Sequence, residues 1–162
     1  MPNLSSGLIE ETALAALLPA GCAPGVAQAS AWACAWLESV GYPGLALLAE
    51  ALETTAREGR QVTLASEYGL VDTGHVSCVF IGAQLLEMAK AQGRVVLMQA
   101  RHGLYLVPFS VRDNIGIGCP VDPSFALGGV RERNPYLEKL AHAAAHGIEV
   151  APDVLERLAK AV

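Results

Sequence analysis

Four residues able to do chemistry fall close together in the stretch VDTGHVSCVFIGAQLLEMAKAQ, Val71–Gln92: Asp72, His75, Ser77 and Cys78. His75 and Cys78 are spaced i, i+3, so on a helix they point the same way. A neighbouring imidazole lowers a thiol pKa, and a helix N-terminus adds to that, so the pair could supply a thiolate nucleophile. As metal ligands they would need two or more partners, and His102 or Cys119 could join them only through the fold. The same residues also read as a turn that launches a helix. Asp72 and Ser77 are good N-caps, Gly74 permits a turn, and cysteine is among the residues most often simply buried. The turn is the stronger of the two readings.

A second candidate is Arg101-His102-Gly103, a polar triplet between the apolar runs VVLMQ and LYLVPF. Loops at strand ends are exposed while the sheet holds them rigidly, which suits reactive groups. His102 can act as acid or base near neutral pH, and Arg101 can hold a carboxylate with two parallel hydrogen bonds. The alternative is a solvated hairpin tip. Gly116-Ile117-Gly118 and Gly128-Gly129 have the composition of phosphate-cradling loops but lack the third glycine and following helix of a dinucleotide fingerprint. Arg131 and Arg133 beyond them could meet a phosphate or carboxylate. His142 and His146 have metal-ligand spacing, yet only alanines separate them, so no glutamate stands where a metalloprotease has its base. His146-Gly147 also fits a helix C-terminus, and the sequence predicts no metal site. Trp32 and Trp36 read as core or dimer contact.

The elements that must position these residues follow from capping and periodicity. Ser5 and Ser6 are caps for a helix to about Leu18. Pro24 opens a second helix that stops near Gly41, and a third runs from about Leu45 to Arg57. Gln61–Leu64 is a short strand candidate, with another near Leu70. A fourth helix spans Ser77–Ala91 and ends at Gly93, where a left-handed cap is favoured. Val95–Gln99 and Leu104–Phe109 read as two strands around the Arg-His-Gly turn, with Pro108 arguing for an edge position in the second. The Gly- and Pro-rich stretch 114–129 is a long loop with one short strand at Asn114–Gly118. Helices near Pro135–His146 and Pro152–Ala161 close the chain.

The totals narrow the class. At 162 residues the chain fits one domain, 1–162, with no interdomain linker. Roughly 68–70% of the unfolded surface of such a chain can be buried, so no disulfide or metal is needed merely to make a core. The composition is 52% hydrophobic and 17% charged, with mean hydropathy +0.37. So thin a polar surface suggests that another subunit covers part of the apolar face, most simply in a two-fold dimer. A net charge of −5 without any Lys/Arg cluster argues against nucleic acid as a partner. No basic stretch precedes an apolar one at the N-terminus, and no uninterrupted apolar run reaches the roughly 18 residues of a membrane span. Four cysteines without a CxxC pair fit reduced thiols in the cytoplasm.

The run VDTGHVSCVFIGAQLLEMAKAQGRVVLMQARHG resembles a segment of malate/L-lactate dehydrogenases of the ureidoglycolate type, in which a Val-Asp-Gly turn precedes a long helix, an apolar strand and a His-Phe-Gly triplet. ALGGVRERNP is similar to that family's stretch beside the nicotinamide cofactor, and the opening helices resemble its N-terminal region. The resemblance implies an active-site role for His102 and places Gly128, Gly129, Asn134 and Pro135 in a cofactor loop. The family's Asp-Ser-His-Gly motif falls near Gly41–Leu45, where this chain has GYPGL without a histidine, and the chain is about half the family's length. The opening helices also look like those of a bacterial family of unknown function.

Together these features predict an α+β (or α/β) fold, with a helical N-terminal third packed on a small mixed sheet and a helical C-terminus. The functional expectation is a cytoplasmic small-molecule-binding or accessory oligomer, with no cofactor identified by the residues themselves. The alternative is an enzyme acting on a small hydroxy or keto acid, with His102 as general acid/base, Arg101 or Arg131 as anchor and His75 as a further candidate, with or without a nicotinamide cofactor.

Overall fold

A computed structural model describes residues 1–58, 66–67, 70–93, 95–118, 126–127 and 134–162, the side chains of 55–58, 66, 67, 118, 126 and 127 excepted. The strand expected at Gln61–Leu64 lies outside the described residues. The fold is α+β. The sequence reads as one domain over 1–162, while the contacts divide into two compact units: Met1–Gly59 with Asn134–Val162, and Arg60–Arg133.

The first unit is helical. Ser5 begins α1 (Ser6–Leu17) as expected, its hydroxyl accepting the Leu8 N–H at 3.2 Å. Pro24 opens α2 (Pro24–Ser39), whose buried side is built from Ala27, Ala31, Ala33, Cys34, Ala35 and Leu37. So many small residues let α1 and α2 approach closely. α3 (Gly44–Glu58) buries Leu45, Leu48, Ala49 and Leu52. The C-terminal helices α6 (Leu137–His146) and α7 (Pro152–Ala161) join this same core, α6 against α2 and α7 against α3. Trp36 meets the Tyr136 ring edge-on at 4.9 Å, and Arg157 grips the Glu53 carboxylate with two bonds of 2.7 and 2.6 Å. The two-residue strands β1 (Asn3–Leu4) and β7 (Ile148–Glu149) pair antiparallel. Pro135 does not open α6. It lies in the preceding turn, because Asn134 Oδ1 takes the Tyr136 N–H at 2.8 Å and starts the helix two residues later.

Glu38, near the end of α2, caps the next helix. Its carboxylate accepts the Leu45 N–H at 2.7 Å. Burial pushes its pKa up, and backbone hydrogen bonds from Leu45 and Gly44 oppose the shift without cancelling it. The native state therefore binds a proton more readily than the unfolded chain, so this group's contribution falls as pH rises from the ordinary value of 4.5 through the native one. Glu53 has the opposite sign. The Arg157 hydrogen bond holds its pKa down, so its stabilisation is lost on acidification. Glu38→Gln keeps the acceptor and removes the charge. Its stability relative to the wild type should improve as pH rises through that window, as read by urea unfolding at a series of pH values. A gap independent of pH would show that Glu38 is not desolvated.

The second unit holds a five-stranded mixed sheet in the order β2 (Ser66–Glu67), β3 (Leu70–Asp72), β4 (Val95–Met98), β5 (Ile117–Gly118) and β6 (Ala126–Leu127). β3, β4 and β5 are parallel, and the two outer pairs are antiparallel. α4 (Cys78–Gln92) crosses from β3 to β4, begun by Ser77 and closed by Gly93 at φ 77°, as its sequence predicts. The second crossover corrects the expectation for Leu104–Phe109. Those residues form no strand but a 3-10 turn, Gly103–Leu106, running into α5 (Val107–Asp113). Tyr105, Leu106, Val107 and Phe109 are all buried. A short run buried on every side has no period that separates helix from strand. Pro108 sits in the first turn of α5, where its missing N–H costs nothing, rather than on a sheet edge.

Candidate functional site

The parallel strands β3 and β4 release the chain on the same side of the sheet, into loops 73–77 and 99–102. Loops at the carboxyl ends of parallel strands are where α/β folds place their ligands. These two are tied together by hydrogen bonds. Thr73, with no exposed surface, donates its N–H to the Met98 carbonyl at 3.1 Å, and its Oγ1 lies 2.8 Å from the Gln99 carbonyl. The Cys78 N–H donates to the Arg101 carbonyl at 2.9 Å, and Ser77 pairs with Arg101 as an isolated parallel bridge. These bonds extend the β3–β4 ladder past both strands and hold the loops in register.

Ser77 joins the two loops through side chains. Its Oγ accepts the Val79 N–H at 3.2 Å, which is the cap of α4, and lies 2.6 Å from His102 Nδ1. One hydroxyl thus starts the helix and fixes the plane of an imidazole 25 residues further along. The bond holds Nδ1 of the ring against the Ser77 hydroxyl. His102 is partly exposed, whereas Ser77 is 7% exposed.

Backbone strain gathers in the same place. Four described residues other than glycine have positive φ. His75 at 65°, Gln99 at 56° and His102 at 54° lie on these two loops, and only Asn114 lies elsewhere. Each such residue costs of order 1 kcal/mol and persists only where its surroundings enforce it, and such residues cluster at functional sites.

Arg101 and His102 therefore stand together at the end of β4, partly exposed. His75 is exposed in the turn after β3, whose shape comes from Asp72 Oδ1 accepting the Gly74 N–H at 2.9 Å. The helical His75–Cys78 pair is not formed. Ser77 caps the helix so that it begins at Cys78, which leaves His75 outside it and Cys78 only 1% exposed. Asn134 and Pro135 belong to the helical unit, where the Asn134 oxygen is used to launch α6. Gly128, Gly129, Arg131, Arg133 and Cys119 lie outside the described residues. His142 and His146 stack at 4.4 Å, with His146 Nδ1 3.1 Å from the His142 carbonyl. Among the described residues no three His, Cys, Asp or Glu side chains gather as a metal site would require, and no helix is long and apolar enough to cross a membrane.

Two residues of this arrangement escaped the sequence reading, Thr73 and the second role of Ser77. The signal for Ser77 was visible only as a cap. Its partner is set by sheet pairing, which a local pattern does not encode. One feature of the topology limits the site. The crossovers β3–α4–β4 and β4–α5–β5 step in the same direction across the sheet, so no reversal of strand order opens a crevice between these strands. No protein-family model, no curated protein and no solved structure matches the chain.

Proposed function

We propose that the protein binds a small organic carboxylate at the loops following β3 and β4, with Arg101 as the anionic anchor and His102 as the orienting hydrogen-bond partner. The observation that carries this reading is the Ser77 Oγ–His102 Nδ1 hydrogen bond of 2.6 Å, made where three residues hold strained backbone. A merely solvated loop has no need to lock an imidazole. The second reading is an enzyme that uses the same His102 as general acid/base on a hydroxy or keto acid, with a nicotinamide cofactor as the dehydrogenase resemblance implies. The locked ring plane favours it, and the absence of the family's Asp-Ser-His-Gly histidine at Gly41–Leu45 weighs against it. The setting we propose is a cytoplasmic homo-oligomer. Its support is the 52% hydrophobic composition, with Leu8 and Leu137 45% and 59% exposed on the helical unit.

Thermal unfolding against small hydroxy and keto acids, NADH, NADPH and divalent metals tests both readings, since a ligand that binds only the folded state raises the melting temperature. A carboxylate should stabilise the wild type and have less effect on His102→Ala and Arg101→Gln. Ser77→Ala should cost about 1 kcal/mol as a lost cap and also weaken the ligand response by freeing the ring. Ser77→Asn, which restores a capping side chain, should recover the stability without the response. Equal responses from wild type and His102→Ala would end the assignment, and no shift with either dinucleotide would end its dehydrogenase form.

A further inference from the structure

A separate cleft lies wholly within the helical unit, between the end of α2, the α6 helix and β7. It is an open groove of about 780 Å³, and small-molecule sites run to roughly 300–1,000 Å³. Val40, Ala143 and Ile148 give it an apolar floor, each of them buried. Its ionisable lining is Glu38, Glu138 and Glu149 with Lys139, His142 and His146, which leaves it net acidic while the imidazoles are neutral. Two helices end on it, α2 at Ser39–Gly41 and α6 at His146–Gly147, and helix C-termini carry partial negative charge on their last carbonyls.

The use the chain makes of those carbonyls indicates what the cleft attracts. Asn3 Nδ2 donates to the His146 carbonyl at 2.8 Å, and the Lys139 ammonium donates to the Val40 carbonyl at 3.3 Å. A primary ammonium of the protein itself thus occupies the negative end of α2, at the cleft wall. An anion would meet Glu138, Glu149 and two unfavourable helix ends. A metal ion would lack a ligand set, since no three suitable side chains gather among the described residues.

We propose that this cleft binds a small amine with an apolar body. The body lies on Val40, Ala143 and Ile148. The ammonium is held by Glu138, Glu149 and the end of α2, in competition with Lys139. The site is independent of the carboxylate site proposed above and stands or falls without it.

Amide NMR spectra of the full chain, titrated with phenethylamine, phenylethanol and phenylacetate, provide the test. Phenethylamine should shift the amides of 40–41 and 143–149 saturably, and added salt should weaken it by screening. Glu138→Gln and Glu149→Gln, both at exposed positions, should each weaken binding about two- to five-fold. Lys139→Gln should tighten it by a similar factor, because a competitor has been removed. A purely structural lysine would not behave that way. Equal saturation by phenylethanol, weaker binding in Lys139→Gln, or no saturable shift with the amine would each overturn the proposal.

Discussion

Replacing Phe109 by alanine should lower stability by about 3–5 kcal/mol, the usual cost of emptying a buried aromatic site. Phe109 is 2% exposed, and its ring lies against Gly82 of α4. A Cβ added at Gly82 would meet Phe109 Cε2 at 3.3 Å and Leu106 Cδ2 at 3.7 Å. The glycine therefore makes room for the ring in the contact between α4 and α5. This predicts a coupling whose sign reverses with background. Gly82→Ala alone should destabilise, despite the roughly 1 kcal/mol that alanine gains over glycine in a helix interior. In a Phe109→Ala chain the same methyl enters vacated space, so it should stabilise. Urea unfolding of the four proteins in a double-mutant cycle reads the interaction directly. Simple additivity would show that the ring does not need the glycine.

Gly44→Ala should destabilise the helical unit by about 1–3 kcal/mol or more. Its Cβ would stand 2.6 Å from the Cys34 carbonyl oxygen and 3.1 Å from Leu37 Cβ. The first obstacle is backbone, which cannot rotate aside. The start of α3 rests directly on α2, and displacing it would also disturb the Glu38 carboxylate that accepts the Leu45 N–H. Gly25, in the first turn of α2, has nothing within 4 Å of its added Cβ. Gly25→Ala should therefore be neutral or mildly stabilising. Melting temperatures of the two variants must diverge if close approach, rather than lost backbone freedom, is why position 44 is glycine.

Legibility in the sequence followed the range of the interactions. Ser5, Pro24, Ser77, Gly93 and Pro152 mark ends of helices through bonds or constraints within a turn, and those helices were readable. β4 was readable as a β-branched apolar run before a polar triplet. α5 was not, because burial on all sides removes the alternation that distinguishes the two periods, and Pro108 fits a helix start as well as a sheet edge. At the candidate site, Arg101 and His102 stood out by type and position. The Ser77–His102 bond did not, since it depends on β3 lying beside β4 in one register. His75 and Cys78 share no helical face because the helix begins at Cys78, as the turn-and-cap reading of this stretch allows.

The pairing of β1 with β7 bears on the order in which the protein can assemble during synthesis. Asn3 faces Glu149, Leu4 faces Ile148, and the Val150 N–H donates to the Pro2 carbonyl. The helical unit draws α6 and α7 from residues made after the sheet unit, which is contained in 60–133. A ribosome therefore delivers every residue of the sheet unit while the first three helices still await α6 and α7. Until then the face of α3 that later packs on α7 has no partner within its own unit. In that interval the nascent chain carries uncovered the part of α3 that α7 later packs on, a transient exposure of the kind chaperones engage.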